Sequence, residues 1–176
     1  MLLELILVSI YFVLPAYVAN MSPLFAQALR LPFGIPISEK HLGAHKTYRG
    51  YYSGYLGALG TLYLQQYFLA EGFGVAAFGF LDYSEMNLFF FAFLFGFGAL
   101  FGDSVESFFK RRRGIRPGAS WPVFDQLDLI AGALIFTYPF ADIPVEVIIV
   151  LLGVSPLLHV LANVIGYAIG IKKVRW

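Results

Sequence analysis

Long apolar runs separated by short polar stretches dominate the chain, and five of them are candidates for helices crossing about 30 Å of hydrocarbon, which takes roughly 20 residues. They are Leu2 to Ala19, Tyr51 to Ala70, Asn87 to Phe101, Leu127 to Ala141 and Val145 to Ile171. The third and fourth are short. This predicts a third helix that starts earlier or continues beyond the membrane through Lys110 to Arg113, and a fourth that begins within an indented site. Only Ala141 to Pro144 separates the last two runs, with Asp142 as polar tip and Pro144 as breaker. The first run has signal-like hydrophobicity but no basic residues ahead of it, and it carries Glu4, so it reads as an uncleaved span.

Composition turns this pattern into a class. Of 176 residues, 59% are hydrophobic, 18% aromatic and 13% charged, against about 45–50% apolar and about 25% charged in soluble domains. The predicted fold is an all-α integral membrane protein, five transmembrane helices in one domain over residues 1–176, with loops 21–50 and 102–126 on one side. The chain has no cysteine, which excludes disulfides, thiolate nucleophiles, iron–sulfur clusters and thiolate zinc sites.

Charge placement orients the bundle, because short cytoplasmic loops collect Lys and Arg. Arg30, Lys40, Lys46 and Arg49 lie between the first two runs, and Lys110, Arg111, Arg112, Arg113 and Arg116 between the third and fourth. Lys172, Lys173 and Arg175 follow the fifth, which accounts for all twelve bases. Glu4, Glu71, Asp82, Glu85, Asp142 and Glu146 fall on the other side with no base among them. The N-terminus is therefore expected outside and the C-terminus in the cytoplasm, as a multi-pass protein of the cell membrane.

Several residue groups read first as packing. Gly50, Gly54, Gly57 and Gly60, and Gly166 with Gly170, have spacings that let helices approach closely. Tyr48, Tyr51, Tyr52, Tyr55 and Trp121 suit anchoring at headgroup depth, and the phenylalanines between Phe89 and Phe101 suit lipid contact or helix packing. His41 and His45 are four apart, but no third ligand accompanies them. Ser155, His159 and Asn163 share one face of the last run, where hydrogen bonds between helices or a proton relay are both open.

The chemistry concentrates between Gly102 and Asp128. If the third helix continues past the membrane, Asp103, Glu106, Ser107 and Lys110 fall on one face at i, i+3, i+4 and i+7, and Gly114 is available as its stop. Pro117 and Gly118 form a turn, and Asp125 and Asp128 open the next helix three residues apart. Carboxylates at that spacing fit Mg²⁺, which takes one or two of them and leaves its other positions to water and phosphate oxygens. Complementing a helix dipole is the plainer role for the pair, but a carboxylate at the start of an intramembrane helix is costly and marks a site. The basic run serves either topology or a polyphosphate. The first inner loop adds Lys46-Thr47-Tyr48-Arg49-Gly50, in which two cations, a hydroxyl and a glycine suit phosphate oxygens.

These residues resemble the CDP-archaeol synthase family, archaeal relatives of the phosphatidate cytidylyltransferases. The likeness rests on Gly102-Asp103-Ser104, Ser107-Phe108-Phe109-Lys110-Arg111-Arg112, Gly114, Pro117-Gly118, Asp125-Gln126-Leu127-Asp128 and Lys46-Thr47-Tyr48-Arg49-Gly50, and it covers nearly the whole chain. Of the wider Lys-Arg, Gly-His-Gly-Gly, Asp-Arg-x-Asp signature, Lys110-Arg111 matches the first part and Asp125 to Asp128 the last, with Gln126 where Arg is usual. Ala119-Ser120-Trp121-Pro122 stands where the glycine element would be.

The resemblance implies cytidylyl transfer from CTP to an unsaturated archaetidic acid, an isoprenoid glycerol-phosphate lipid, with Mg²⁺ as cofactor and no nucleic-acid partner. Asp125, Asp128 and Lys110 are the expected catalytic residues. Lys46, Thr47, Arg49, Ser107, Arg111 and Arg112 would hold the CTP or lipid phosphates, and Asp103, Asp125 and Asp128 the metal. A membrane-embedded groove near the short third and fourth spans would admit the isoprenoid chains. A CDP-alcohol phosphotransferase is a weaker reading because its Asp-Gly-x-x-Ala-Arg core is absent. A small carrier or scaffold would leave both acidic clusters unexplained.

Overall fold

The computed structural model describes residues 2–73, 79–116, 119 and 121–168, with the backbone alone at positions 159, 162, 163, 165, 166 and 168. The Pro117-Gly118 turn, the His159 and Asn163 side chains, the surroundings of Gly166 and Gly170, and the bases Lys172, Lys173 and Arg175 lie outside the described residues. The helices are α1 (Leu2–Ala28), α2 (Glu39–Leu42), α3 (Tyr48–Ala70), α4 (Leu88–Arg112), α5 (Phe124–Thr137, continued by a 3-10 turn at Tyr138–Phe140) and α6 (Val145–Ala168). Among the described residues there is no strand, only an isolated bridge between Pro36 and Thr47. Helices occupy all five apolar runs, and α1 and α4 are each long and apolar enough to cross a membrane.

Helix α1 runs on to Ala28, past the apolar stretch, and Ser22 in that extension is satisfied by the helix itself. Ser22 Oγ donates to the Val18 carbonyl at 2.7 Å. Phe12, Val13, Ala16 and Ala19 line its buried face, at the i, i+1, i+4, i+7 spacing of one helical side. Thr47 caps α3 by accepting the Gly50 N–H at 3.1 Å. A Cβ on Gly54 would lie 2.4 Å from Leu100 Cδ1, and one on Gly57 would lie 2.1 Å from Ser22 Oγ. Helix α3 therefore sits backbone-close to α4 and α1, whereas Gly60 faces open space.

Helix α4 positions the site. Asn87 caps it through the Phe90 N–H at 3.1 Å. It is apolar from Leu88 to Phe101, polar from Gly102 to Arg112, and is followed by Gly114 at φ +70°, a left-handed conformation that glycine adopts without strain. It crosses α5 where Gly98 and Gly102 meet Gly132, with Cβ positions that would fall 2.1–2.8 Å from opposing carbonyl oxygens. Phe93, Phe97 and Phe101 stack along α4 with centroids 5.1 and 5.7 Å apart, and Phe136 of α5 abuts the last two.

At the far end, Gln65 donates to the Tyr11 carbonyl at 2.6 Å and Gln66 to the Tyr83 carbonyl at 2.9 Å, pinning the buried Tyr83 and its loop to α1 and α3. Tyr17 donates to Ser155 at 3.1 Å, tying α6 to α1.

Candidate active site

Three segments bring six ionisable side chains to one end of the bundle. The polar extension of α4 supplies Asp103, Glu106 and Lys110 on one face, the first turns of α5 supply Asp125 and Asp128, and the loop before α3 supplies Lys46. Lys46 is ion-paired with Asp103. Lys110 bridges Glu106 at 2.8 Å and Asp125 at 2.7 Å. Asp103, Glu106 and Asp128 each place a carboxylate oxygen within 4.8 Å of the others. Backbone groups orient the α5 acids: Trp121 N–H donates to Asp125 Oδ2 at 2.9 Å and Leu129 N–H to Asp128 Oδ1 at 2.6 Å.

Electrostatics follow from this crowding. Glu106 is 8% exposed, and burial pushes its carboxyl up to about 7, helped by the adjacent Asp125 and opposed by Lys110. Asp125 takes the other side of that balance. Burial pushes it up, but hydrogen bonding with Glu106, Lys110 and the Trp121 N–H outweighs burial and leaves it below the ordinary aspartate value. Four carboxylates face two ammonium groups, so the fully ionised cluster carries two negative charges in excess, which a half-buried setting disfavours. A divalent cation removes that excess. Hard oxygen donors suit Mg²⁺, whose octahedral shell spans about 4.2 Å between opposite ligands, so small side-chain rotations would bring the trio Asp103, Glu106 and Asp128 onto one ion.

The expected site residues divide accordingly. Lys46, Asp103, Lys110, Asp125 and Asp128 converge. Of the three expected metal ligands, Asp103 and Asp128 belong to the trio; Asp125 does not, and Glu106 completes it. Thr47 spends its hydroxyl oxygen on the α3 cap. Arg49 reaches the Leu31 carbonyl at 3.0 Å, on the loop after α1. Arg112 lies over the Phe108 ring at 5.5 Å, the buried Arg111 Nε has no hydrogen-bond partner, and Ser107 carries no side-chain hydrogen bond among the described residues.

His41 bonds Ser38 at 3.1 Å, and α2 ends at Leu42, so His41 and His45 do not share a helical face. Two residues read as interfacial anchors have structural partners here. Tyr51 hydrogen-bonds Ser104 at 2.8 Å and the Leu100 carbonyl at 3.2 Å, beside Asp103. Trp121 stacks on Phe124 with centroids 4.1 Å apart.

A cavity of about 570 Å³ opens beside the carboxylates between α4 and α5. Its walls are apolar, including Phe101, Val105, Phe109, Leu127 and Phe136, and its polar lining is Glu106, Asp128 and Arg113 with Trp121. Val123, also on its rim, holds φ +73° and ψ −51°, a γ-turn conformation that is strained for a β-branched residue and sharpens the entry of the chain into α5.

A family model described as CarS-like, CDP-archaeol synthase, matches residues 2–176. A CDP-archaeol synthase of Methanococcoides burtonii is 41% identical over 93% of this chain and 99% of its own length. One of Methanocaldococcus jannaschii is 38% identical over the full length of both, and one of Methanococcus aeolicus is 36% identical over 99% of both. A solved structure of an intramembrane enzyme of archaeal membrane-lipid biosynthesis superposes with a TM-score of 0.64 at 29% identity, covering 88% of this chain and 92% of that one. An all-helical membrane protein with this motif set and this full-length likeness belongs to the CDP-archaeol synthase family.

Proposed function

We infer that this chain transfers the cytidylyl group of CTP to di-geranylgeranylglyceryl phosphate, an unsaturated archaetidic acid, forming the CDP-activated lipid and pyrophosphate. The observation that carries the reading is the meeting of a half-buried carboxylate cluster, rich in negative charge, with an apolar cavity at the same end of α4 and α5. A lipid phosphate needs both: apolar walls for its chains and a metal-ready acidic site where its headgroup meets a nucleotide triphosphate.

The lipid phosphate, with a second pKa of about 6, is largely a dianion near neutral pH and needs no strong general base. One of its oxygens attacks the α-phosphorus of CTP, the new P–O bond forms as the bond to the β-phosphate bridge oxygen breaks, and pyrophosphate leaves with that electron pair. Bound to Asp103, Glu106 and Asp128, Mg²⁺ would neutralise phosphate charge in this displacement. Lys110, held between Glu106 and Asp125, places a fixed cation beside the reacting phosphates. Lys46 brings a second from the other inner loop and holds the Asp103 carboxylate in place. Catalysis is then positioning and preorganised charge.

The excess of Lys and Arg in the loops at this end supports a five-span bundle whose site faces the cytoplasm, where CTP resides. We propose that Arg111, Arg112 and Ser107 of α4 and Arg49 of α3 receive phosphate oxygens of the incoming CTP or lipid. Purified protein in detergent is expected to release pyrophosphate from CTP only when both the isoprenoid lipid phosphate and Mg²⁺ are present. Turnover without lipid, or none with all three components, would overturn the assignment.

A further inference from the structure

Arg112 and Arg113 are adjacent in sequence and part company in the fold. Arg112 lies over Phe108, whose ring neighbours His41 of α2. Arg113 lies over Trp121, its guanidinium carbon 5.1 Å from the ring centroid, and is the one cation among the described residues lining the apolar cavity. The stack beneath it is fixed at both ends: Trp121 rests on Phe124, and the Trp121 N–H is held by Asp125. A guanidinium held over an indole by cation–π attraction spends no N–H on a carboxylate and keeps its donors available for a two-point contact with phosphate oxygens. Among the described residues, Arg113 has no carboxylate partner, whereas Lys46 and Lys110 are both committed to carboxylates.

Resting on the cytidylyltransferase reading, we propose that Arg113, held by Trp121 at the cavity rim, is the residue that binds the phosphate of the lipid acceptor, distinct from the cations that hold CTP. A lipid whose chains fill the apolar cavity has its headgroup at the polar end, where Glu106 and Asp128 repel it and Arg113 attracts it. Arg113 thereby selects a phosphorylated lipid over its neutral alcohol and aims the attacking oxygen at the nucleotide.

Steady-state kinetics on the purified full chain test this. With CTP saturating, Arg113→Gln is expected to raise KM for di-geranylgeranylglyceryl phosphate roughly 10- to 100-fold, the scale of a lost charge-assisted contact, while KM for CTP stays within about twofold. Arg113→Lys is expected to recover part of the loss. The neutral di-geranylgeranylglycerol should inhibit wild type and Arg113→Gln with the same constant, because it never meets the guanidinium. If Arg113→Gln does not turn over, titrating the lipid phosphate against Trp121 fluorescence in a Trp176→Phe background reads binding directly and should show the same weakening. An unchanged lipid KM, or a rise in KM for CTP instead, overturns the assignment of Arg113, whereas a wild-type protein without transfer activity overturns the underlying reaction.

Discussion

The closest backbone approach of α4 to α5 makes the sharpest test of how the site is built. A Cβ added at Gly102 would lie 2.1 Å from the Asp128 carbonyl oxygen, 2.9 Å from its carbonyl carbon and 3.2 Å from Gly132 Cα, all of them backbone atoms that no rotamer change can move. Packed carbon–oxygen contacts settle at about 3.3 Å, so Gly102→Ala must part the two helices by roughly 1 Å at the residue next to Asp103 and opposite Asp128. Added to oxygens already 4.8 Å apart at most, that separation carries the trio well past the width of about 4.2 Å that an octahedral Mg²⁺ shell allows. Overpacking of this kind costs about 1–3 kcal/mol of stability, and a misplacement of about 1 Å at a reacting centre costs about 10²-fold in rate. The assay is pyrophosphate release at saturating CTP and lipid over a range of Mg²⁺ concentrations, alongside a thermal melt. Gly102→Ala should lose about two orders of magnitude in kcat and need more Mg²⁺. Gly60→Ala, whose new methyl meets nothing within 4 Å, should behave as wild type. Wild-type kcat at ordinary Mg²⁺ in a folded Gly102→Ala protein would refute the claim that this helix crossing sets the carboxylate spacing.

Asp125→Asn, Asp128→Asn and Glu106→Gln should each lower turnover by about 10²-fold or more if their carboxylates bind the metal or brace Lys110 in the transition state; full activity in all three would remove the acidic cluster from the chemistry. Asp142→Asn, on the exposed turn between α5 and α6, should leave turnover within about twofold and stability within about 0.5 kcal/mol, and a large loss in folded protein would contradict the placement of the site. Because the chain has no cysteine, orientation can be read with single introduced thiols. Ser84→Cys should react with an impermeant maleimide in intact cells and Ser38→Cys only after permeabilisation, and the reverse pattern would invert the bundle.

What the sequence made legible was mostly local. The i, i+3, i+7 spacing of Asp103, Glu106 and Lys110 required nothing beyond a continuous α4, and Gly114 marked its end. Long-range partners were not legible. Lys46 and Asp103 are 57 positions apart, and nothing in Lys46-Thr47-Tyr48-Arg49-Gly50 distinguishes the lysine that reaches the cluster from the threonine that caps a helix or the arginine that holds a loop carbonyl. Which of two carboxylates three residues apart faces a neighbouring helix depends on the crossing register. That register is set by Gly98, Gly102 and Gly132, of which Gly132 stands alone on α5 with no repeat to betray it, so nothing in the sequence shows that Glu106 lies with Asp103 and Asp128 while Asp125 turns to Lys110. The glycine ladder of α3 was a clearer signal, but only Gly54 and Gly57 lie in tight contact. Tyr51 and Trp121 were hidden by their own plausibility: an aromatic ring at a membrane boundary suits anchoring so well that its hydrogen bond or stack beside a site leaves no separate mark.

Concentrating like charge at the end of an apolar bundle has a thermodynamic consequence of its own. When fully ionised, Asp103, Glu106, Asp125 and Asp128 repel one another while partly stripped of water, and Lys46 and Lys110 offset only half of their charge, so above neutral pH and without metal the cluster destabilises the fold it belongs to. Asp128→Asn keeps the shape, keeps an acceptor for the Leu129 N–H and deletes one of the repelling charges. Metal-free Asp128→Asn should therefore melt at or above metal-free wild type, by about 2–4 °C for each kcal/mol of repulsion relieved in a chain of this size. Adding Mg²⁺ with CTP should then raise the wild-type melting temperature, since a ligand that binds only the folded state stabilises it, and should leave the variant nearly unmoved. If the variant melts well below wild type without metal, and Mg²⁺ with CTP shifts neither protein, the four carboxylates are structural ion-pair partners and the case for a metal among them fails.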